Sequence, residues 1–269
     1  MISAFSDSRI VRLLNTHNIG YAENMNALFK AAKGEYIVIQ DADDYSTENR
    51  LEILVDFLSK NEDIDMVGSS CIKVEEDKEQ KVTMPLGADF IAQSFEAMTN
   101  PLPVLNGTLM FKREIIDKGF FFRKLKYVNR GQDDDWLFRV SEYFKITNVK
   151  EYLYYYRVNA SSMTQNPKHY TYYSIFAGEY VRFLKHYRMT HGVDLLEQNN
   201  WSIIDAFFQK EKTSVTSIQP AYLELYIAHK YLALNNRFRS LSWLFKALFK
   251  DMGNAFIWKK IIYIVWNKK

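Results

Sequence analysis

The sequence has one cysteine, Cys71, among 269 residues, and it is poor in proline and glycine. A single cysteine excludes an intrachain disulfide and a cysteine-based zinc site, which suits a reducing cytoplasm. The five histidines show no metal-ligand spacing on a helix face, and the glycines form neither a P-loop nor a dinucleotide fingerprint. These absences exclude the commonest zinc and nucleotide-binding motifs.

Charge is nearly balanced, with a net value of +3, and no tract resembles a nucleic-acid-binding motif. The first twelve residues lack the apolar core of a signal peptide. The composition, 48% hydrophobic and 16% aromatic, is ample for a packed core. We therefore expect a globular cytoplasmic protein with no nucleic-acid partner.

Strand and helix patterns alternate in the first half of the chain. Apolar runs predict strands over residues 9–14, 36–40 and 66–72, and helical spacing predicts helices over 22–32 and 47–58 between them. Such alternation is typical of a mostly parallel sheet flanked by helices. The predicted class is α/β with a Rossmann-like sheet.

The second half of the chain has a different pattern. Charges over residues 75–81 predict an exposed loop or hairpin end, and residues 106–112 predict one more strand. Beyond residue 159 only helical spacing follows. Helices are predicted over residues 170–187, 201–210, 221–234 and 239–249. The predicted domains are an α/β domain over 1–165 and a helical extension over 166–269.

Three carboxylates, Asp41, Asp43 and Asp44, follow directly on the apolar strand 36–40. Crowded carboxylates raise one another's pKa unless a cation neutralises them, and ligands of open α/β sheets bind beyond the carboxyl ends of strands. The cluster therefore predicts a site for a hard divalent metal.

Two plainer interpretations account for less of this cluster. A turn followed by a helix cap at Ser46 or Thr47 needs only one aspartate. A calcium loop that begins at Asp41 fails, because Tyr45 stands where an oxygen ligand belongs and Ser46 stands where glycine is required.

A second acidic run, Asp133, Asp134 and Asp135, leads into an apolar helical segment. One aspartate could cap that helix, and the others could favour its positive end. Three consecutive acids exceed that need. A carboxylate that faces the first cluster across a cleft would be placed to take a proton from an incoming hydroxyl.

In this order the segments resemble a family-two glycosyltransferase of the GT-A fold. The matching segments are Asn18-Ile19-Gly20 with Asn26, residues 32–36, the DxD-like residues 41–44, Asn106-Gly107-Thr108, residues 111–113, and Gly131-Gln132-Asp133 with Asp135. Together they cover roughly residues 9–164.

The resemblance implies a metal-dependent inverting enzyme with a nucleotide-sugar donor and a glycan or lipid-linked acceptor, as in surface polysaccharide synthesis. Asp43 is the implied ligand of Mg²⁺ or Mn²⁺, and Asp133 is the implied catalytic base. The other implied donor-binding residues are Asp41, Asp44, Asn18, Gly20 and Asn26, and the implied acceptor-side residues are Asn106, Gly107, Asp135 and Arg139.

The chain also departs from the family pattern. Met25 stands where a basic residue is usual, Gln132 replaces a glutamate, and Asn159 stands where histidine often occurs. We also expect this chain to lack the N-terminal strand-helix-strand unit that binds the nucleotide base in the family. Two alternatives stay open: a non-catalytic remnant or scaffold member of a glycan-assembly complex, and another Mg²⁺ enzyme acting on phosphates.

The tail over residues 237–269 has eight basic residues and one acidic residue. Its apolar stretch, residues 255–266, is too short for a bilayer span of about 20 residues. Two interpretations are open: an interfacial helix at an anionic membrane, on the inner face, or a helix packed on its own domain with lysines outward.

Overall fold

The computed structural model describes residues 6–76, 78–158 and 166–266. In these ranges the chain forms one six-stranded sheet and a series of α-helices. The strands are β1 (Tyr36–Val38), β2 (Tyr45–Ser46), β3 (Met66–Glu75), β4 (Lys78–Val82), β5 (Met110–Lys112) and β6 (Ile146–Arg157). The helices are α1 (Tyr21–Ala31), α2 (Arg50–Lys60), α3 (Ala88–Glu96), α4 (Glu114–Asp117), α5 (Gln132–Val140), α6 (Tyr172–Ile175), α7 (Ala177–His191), α8 (Trp201–Ile218), α9 (Tyr222–Ala233), α10 (Arg237–Lys250) and α11 (Ala255–Trp266).

The sheet has the strand order β1-β5-β3-β6-β2, with β4 paired to β3. Strand β5 is antiparallel to both neighbours: Tyr36 of β1 lies opposite Lys112, and Met66 of β3 lies opposite Phe111. The α/β class and the helical C-terminal region are confirmed. The expected parallel pairing does not hold at β5, whose two pairings are antiparallel. An apolar pattern predicts a strand but does not give its direction.

One predicted strand is wrong. Residues 9–14 form no strand, and Val11 and Leu14 are 74% and 90% exposed. A short apolar run becomes a strand only where a neighbouring strand pairs with it. The charged segment 75–81 is predicted as an exposed loop or hairpin end. The structure shows that residue 75 ends β3 and that residues 78–81 belong to β4, which is exposed along its whole length.

The first of two compact units comprises Met1–Cys71, Val82–Lys124 and Gln132–Tyr154. Its core contains an aromatic cluster, in which Phe122 stacks on Trp136 at 5.0 Å and Phe29 and Phe111 pack against Trp136 at 5.9 and 5.3 Å. The indole nitrogen of Trp136 also donates to the Phe120 carbonyl. These contacts fix α5 beside α1 and β5.

The passage from α1 to β1 is held by Arg113. Its Nη1 donates to the carbonyl of Ala32 at 2.7 Å, and its Nε donates to the carbonyl of Gly34 at 2.8 Å. These carbonyls lie just beyond the helix end, where backbone acceptors lack helical partners. Arg113 therefore fixes where β1 begins and where its following carboxylates fall.

The second compact unit comprises Ile72–Lys81, Leu125–Gly131 and Tyr155–Lys269. In it α9, α10 and α11 share an apolar core that includes Ala228, Leu244 and Ile261. No helix in the described ranges combines the length and the hydropathy needed to cross a bilayer. Residues 159–165 lie outside the described part, so the domain boundary at 165 stays a prediction.

Candidate functional site

Two residues separate the first acidic cluster from the end of β1, so the cluster follows this strand as predicted, although β1 is shorter than the predicted strand 36–40. Ile37 and Ile39 are buried, and the Ile39 amide donates to the Leu109 carbonyl at 3.1 Å. The chain then turns, with the Asp44 amide donating to the Asp41 carbonyl at 3.2 Å. Asp41 and Asp44 are half-buried, whereas Asp43 is exposed.

The hydroxyl of Tyr154 joins two of these carboxylates. It donates to Asp44 Oδ2 at 2.7 Å, and it lies 3.3 Å from Asp41 Oδ2. Burial, followed by the charge of Asp41, raises the pKa of Tyr154, so the phenol stays protonated and able to donate. Tyr154 thus sets the orientation of the Asp41 and Asp44 side chains.

Arg50, at the start of α2, ties together the backbone around this cluster. Its Nη2 donates to the carbonyls of Ile39 at 2.9 Å and Gly107 at 2.8 Å, and its Nη1 donates to Gln40 Oε1 at 2.9 Å. The guanidinium also lies 4.9 Å from the centre of the Tyr154 ring. Burial lowers the pKa of Arg50 to about 10, which leaves it charged at neutral pH.

Gly107 fits only because it lacks a side chain. A Cβ at this position would lie 2.6 Å from Tyr154 Oη and 3.0 Å from Asp41 Oδ2. The neighbouring Asn106 is buried, and its Nδ2 donates to the Tyr21 hydroxyl at 3.0 Å. The structure therefore brings Asn106 and Gly107 together with the first acidic cluster.

Asp133, near the N-terminus of α5, interacts electrostatically with the first acidic cluster. Burial raises its pKa, and backbone amides of Asp134 and Asp133 offset part of this rise. Its charge contributes to the raised pKa of Tyr21, after burial, and to that of Asp41. The charge of Asp133 therefore acts on both Asp41 and Tyr21, and the arrangement of Asp133 across a cleft from the first cluster stays a prediction.

The raised pKa of Asp41 shows how crowded this negative charge is. Burial is the largest cause, followed by the charges of Asp44 and Asp43, whereas the Tyr154 hydrogen bond lowers the pKa. Carboxylates in this state favour a cation among them. Within the described residues, no three metal-ligating side chains converge on one point.

Asp135 and Arg139, predicted on the acceptor side, form a buried ion-pair cluster with Arg123. Asp135 is 2% exposed and accepts from Arg123 Nη2 at 2.6 Å, from Arg123 Nε at 3.0 Å and from Arg139 Nε at 3.1 Å. Arg139 also donates to the Phe121 carbonyl. These contacts hold α5 against the segment that contains Phe121 and Arg123.

The predicted donor-side residues lie at and within α1. Asn18 Oδ1 accepts from the Gly20 amide at 2.9 Å, and Gly20 has a φ of 88°, which favours glycine. Asn26 bonds both backbone groups of Phe122, at 2.8 and 2.9 Å. Its amide therefore fastens α1 to the segment before α5.

Sequence reasoning missed Tyr154, Arg50 and Tyr21. Arg50 gave a weak signal, since a charged residue opens an amphipathic helix directly after the acid cluster. Tyr154 lies in a run of tyrosines that reads simply as strand. Their roles depend on contacts between residues far apart in the chain.

Comparison with known proteins matches residues 1–120 to the family model of glycosyl transferase family 2. An uncharacterized glycosyltransferase of Methanocaldococcus jannaschii is 29% identical over 181 residues, which cover 63% of this chain and 59% of the relative. EpsE of Bacillus subtilis, named as a glycosyltransferase, is 30% identical over 155 residues, covering 56% of this chain and 54% of EpsE.

The chain thus spans little more than half the length of these curated relatives. Among solved structures, S. aureus TarS 1–349 in complex with UDP-GlcNAc has a TM-score of 0.44 and 18% identity. That alignment covers 86% of this chain and 73% of the TarS chain.

Proposed function

We propose that this chain is an inverting glycosyltransferase, because residues 1–120 match the family model of glycosyl transferase family 2. It moves a sugar from a nucleotide-sugar donor to a glycan or lipid-linked acceptor in surface polysaccharide synthesis. The single observation that carries this proposal is that match. The charge of Asp133 supports it, as the smallest of the contributions to the raised pKa of Asp41. In such a group of acids, some carboxylates can bind the metal at the leaving group while another takes the proton of the attacking hydroxyl.

Asp133 is the proposed catalytic base. Its carboxylate takes the proton of an acceptor hydroxyl while that oxygen attacks the anomeric carbon of the donor. The bond between the anomeric carbon and the diphosphate breaks in the same step, which inverts the configuration at that carbon. A pKa raised by burial makes the Asp133 carboxylate a stronger base than an exposed aspartate.

Asp43 is the proposed metal ligand, because it is the exposed carboxylate of the first cluster. Mg²⁺ is commonly held by one or two carboxylates plus substrate phosphates and water, so a cage of three protein ligands is not required. The crowded charge around Asp41 also suits a bound cation. When bound, Mg²⁺ or Mn²⁺ would neutralise the leaving diphosphate.

The remaining residues orient the two substrates in this proposal. Asp41 and Asp44, set by the Tyr154 hydroxyl, face the donor ribose or the metal, with Asn18 and Gly20 on the donor side. Asn106 and Gly107 form the acceptor side. Asp135 and Arg139 act there through the ion pairs that hold α5, and Asn26 acts through its bonds to Phe122.

Calorimetric titration with nucleotide sugars tests the donor side. A panel of UDP, GDP and dTDP sugars should give binding that requires MgCl₂ or MnCl₂ and that is lost in Asp43→Ala. Asp63→Ala, at an exposed surface aspartate, is the matched control and should bind like the wild type. Absence of binding to every donor would favour the non-catalytic alternative.

The C-terminal tail is proposed to touch an anionic membrane surface, on its cytoplasmic face. One face of α11 packs into the core through Ile257, Ile261 and Ile264. Its other apolar residues stay exposed, by 46% to 80% of their surface: Phe256, Trp258, Ile262, Tyr263, Val265 and Trp266. A helix that only packs on its own domain would not need a second apolar face.

Vesicle sedimentation tests the tail. Binding to vesicles that contain phosphatidylglycerol should weaken with added salt and fall in the double variant Trp258→Ser/Trp266→Ser. Ile218→Ser removes an apolar side chain that is 86% exposed elsewhere and should leave binding unchanged. Equal sedimentation of all three proteins would contradict the membrane proposal.

A further inference from the structure

A cleft of about 730 Å³ lies within the second compact unit, and the proposed transfer chemistry does not use it. Its volume is within the range of about 300–1,000 Å³ found for ligand sites. Its lining includes three aromatic side chains that contact one another, together with a carboxylate, an amide and an ammonium group. These residues are Tyr127, Tyr173, Phe208, Asp205, Gln209 and Lys212.

The aromatic wall is a compact stack. Tyr127 and Tyr173 are stacked with their ring centres 4.7 Å apart, and Phe208 meets both rings edge-on at 5.8 and 5.0 Å. Phe208 is buried, yet Tyr127 and Tyr173 are each 41% exposed. The cleft therefore presents two fixed aromatic rings to solvent.

The carboxylate of Asp205 is held beside this stack. Tyr127 Oη donates to Asp205 Oδ1 at 2.5 Å, and Lys126 Nζ lies 3.2 Å from the same oxygen. These partners lower the pKa of Asp205, with the tyrosine hydrogen bond as the larger cause. Asp205, Gln209 and Lys212 lie four and three positions apart on α8, so they share one helix face.

The backbone of Tyr127 is unusual. Its φ of 70° lies in the left-handed region, which is costly for a residue with a bulky side chain. Such outliers persist where the surrounding contacts hold them, and they concentrate at ligand sites. Here the strained backbone places the Tyr127 ring on Tyr173 and its hydroxyl on Asp205.

We propose that this aromatic cleft binds an oligosaccharide segment of the acceptor glycan, as a holding site separate from the residues that perform transfer. A sugar ring has an apolar C–H face that packs on an aromatic ring, and a rim of hydroxyls that pair with carboxylate, amide and ammonium groups. Both kinds of partner lie together here. The inference rests on the proposed function, since that function supplies a glycan acceptor.

The test measures oligosaccharide binding without any nucleotide sugar. The probes are cello-, chito-, malto- and galacto-oligosaccharides of four to six sugars, and the readouts are saturation-transfer NMR and the fluorescence of Trp201. Lys126 lies over the Trp201 ring at 4.9 Å, which places this indole next to the Asp205 pair. At least one probe should bind saturably to the wild type.

Variants assign that binding to the cleft. Tyr127→Ala and Tyr173→Ala should each weaken it tenfold or more, about the effect of losing one stacking partner. Tyr127→Phe keeps the ring and should lose only a few-fold, through the hydroxyl. Tyr143→Ala, at a tyrosine that is 74% exposed in the first compact unit, is the matched control and should bind like the wild type.

Circular dichroism of each variant checks that the fold is kept. Saturable binding that is lost in both cleft variants and kept in Tyr143→Ala supports the holding site. Absence of saturable binding by every probe, or undiminished binding in folded Tyr127→Ala and Tyr173→Ala, would overturn it. Titration with nucleotide sugars is a separate readout. Glycan binding without nucleotide-sugar binding would therefore contradict the proposed transferase function and still support the glycan holding site.

Discussion

Asp133 and Asp135 stand two positions apart on α5, yet their surroundings differ sharply. Asp135 is neutralised by Arg123 and Arg139, whereas Asp133 has a raised pKa because burial outweighs the help of backbone amides. Asp41 resembles Asp133 because burial raises its pKa too, and the charges of neighbouring acids raise it further. The nature of the partner, rather than the number of acids, therefore separates a carboxylate that stabilises the fold from one available for chemistry.

The largest expected effect is the loss of stability when Asp135, the carboxylate that stabilises the fold, is removed. Asp135→Ala leaves two half-buried guanidinium groups without their carboxylate and should lower the free energy of unfolding by about 3–5 kcal/mol. Urea denaturation measures it. Asp133→Asn is the matched variant and should change stability by less than about 1 kcal/mol. Equal losses in both variants would remove the distinction between the two residues.

A smaller effect is expected where the chain passes closest to the acid cluster. Gly107→Ala places a Cβ against Tyr154 and Asp41, so overpacking should cost about 1–3 kcal/mol and weaken metal-dependent donor binding. Thermal unfolding and calorimetry measure the two losses. Gly253→Ala, where a Cβ meets nothing within 4 Å, is the control. Wild-type behaviour of Gly107→Ala would show that this close approach is unimportant.

The hydroxyl of Tyr154 should matter less than the packing around it. Tyr154→Phe keeps the ring over Arg50 but removes the hydrogen bonds to Asp44 and Asp41, at a cost of about 1–2 kcal/mol. The pKa of Asp41 should rise further, which NMR titration can follow. Tyr152→Phe, at a hydroxyl paired with Thr83, should have a smaller effect. An unchanged Asp41 pKa would contradict the proposed role of Tyr154.

The smallest effect is a change of stability with pH. Asp133 has a folded-state pKa above its ordinary value of 3.8, so its contribution to stability is present at low pH and is lost as pH rises through the folded pKa. Asp133→Asn removes that loss. The variant should therefore gain stability relative to the wild type as the pH rises above about 4. A stability difference between the variant and the wild type that does not change with pH would argue against a raised pKa.

Much of the fold follows from periodicity. The helix predicted over residues 22–32 is α1, and those predicted over 221–234 and 239–249 are α9 and α10 within three residues at each end. Periodicity failed over residues 9–14, where apolar residues lie exposed, and it could not give the direction of β5. Pairing and direction depend on distant segments, which local pattern does not record.

The acidic motifs led to the candidate site, but the groups that organise it were hidden. The resemblance gave Asp133 and Asp135 different roles, but local sequence could not show how their surroundings differ, because that difference comes from Arg123 and Arg139. Arg50 and Tyr154 reach the site from α2 and β6. The strained Tyr127 of the aromatic cleft had no local signal either, since nothing in its neighbours marks a positive φ.

The most direct test of the central claim measures the rate at which the protein consumes a nucleotide sugar with Mg²⁺ or Mn²⁺ and a lipid-linked or oligosaccharide acceptor. Asp133→Asn should lower the transfer rate by about 10²–10⁴-fold while donor binding is unchanged, because only the base is lost. Transfer at the wild-type rate by folded Asp133→Asn would contradict the assignment of Asp133 as the catalytic base.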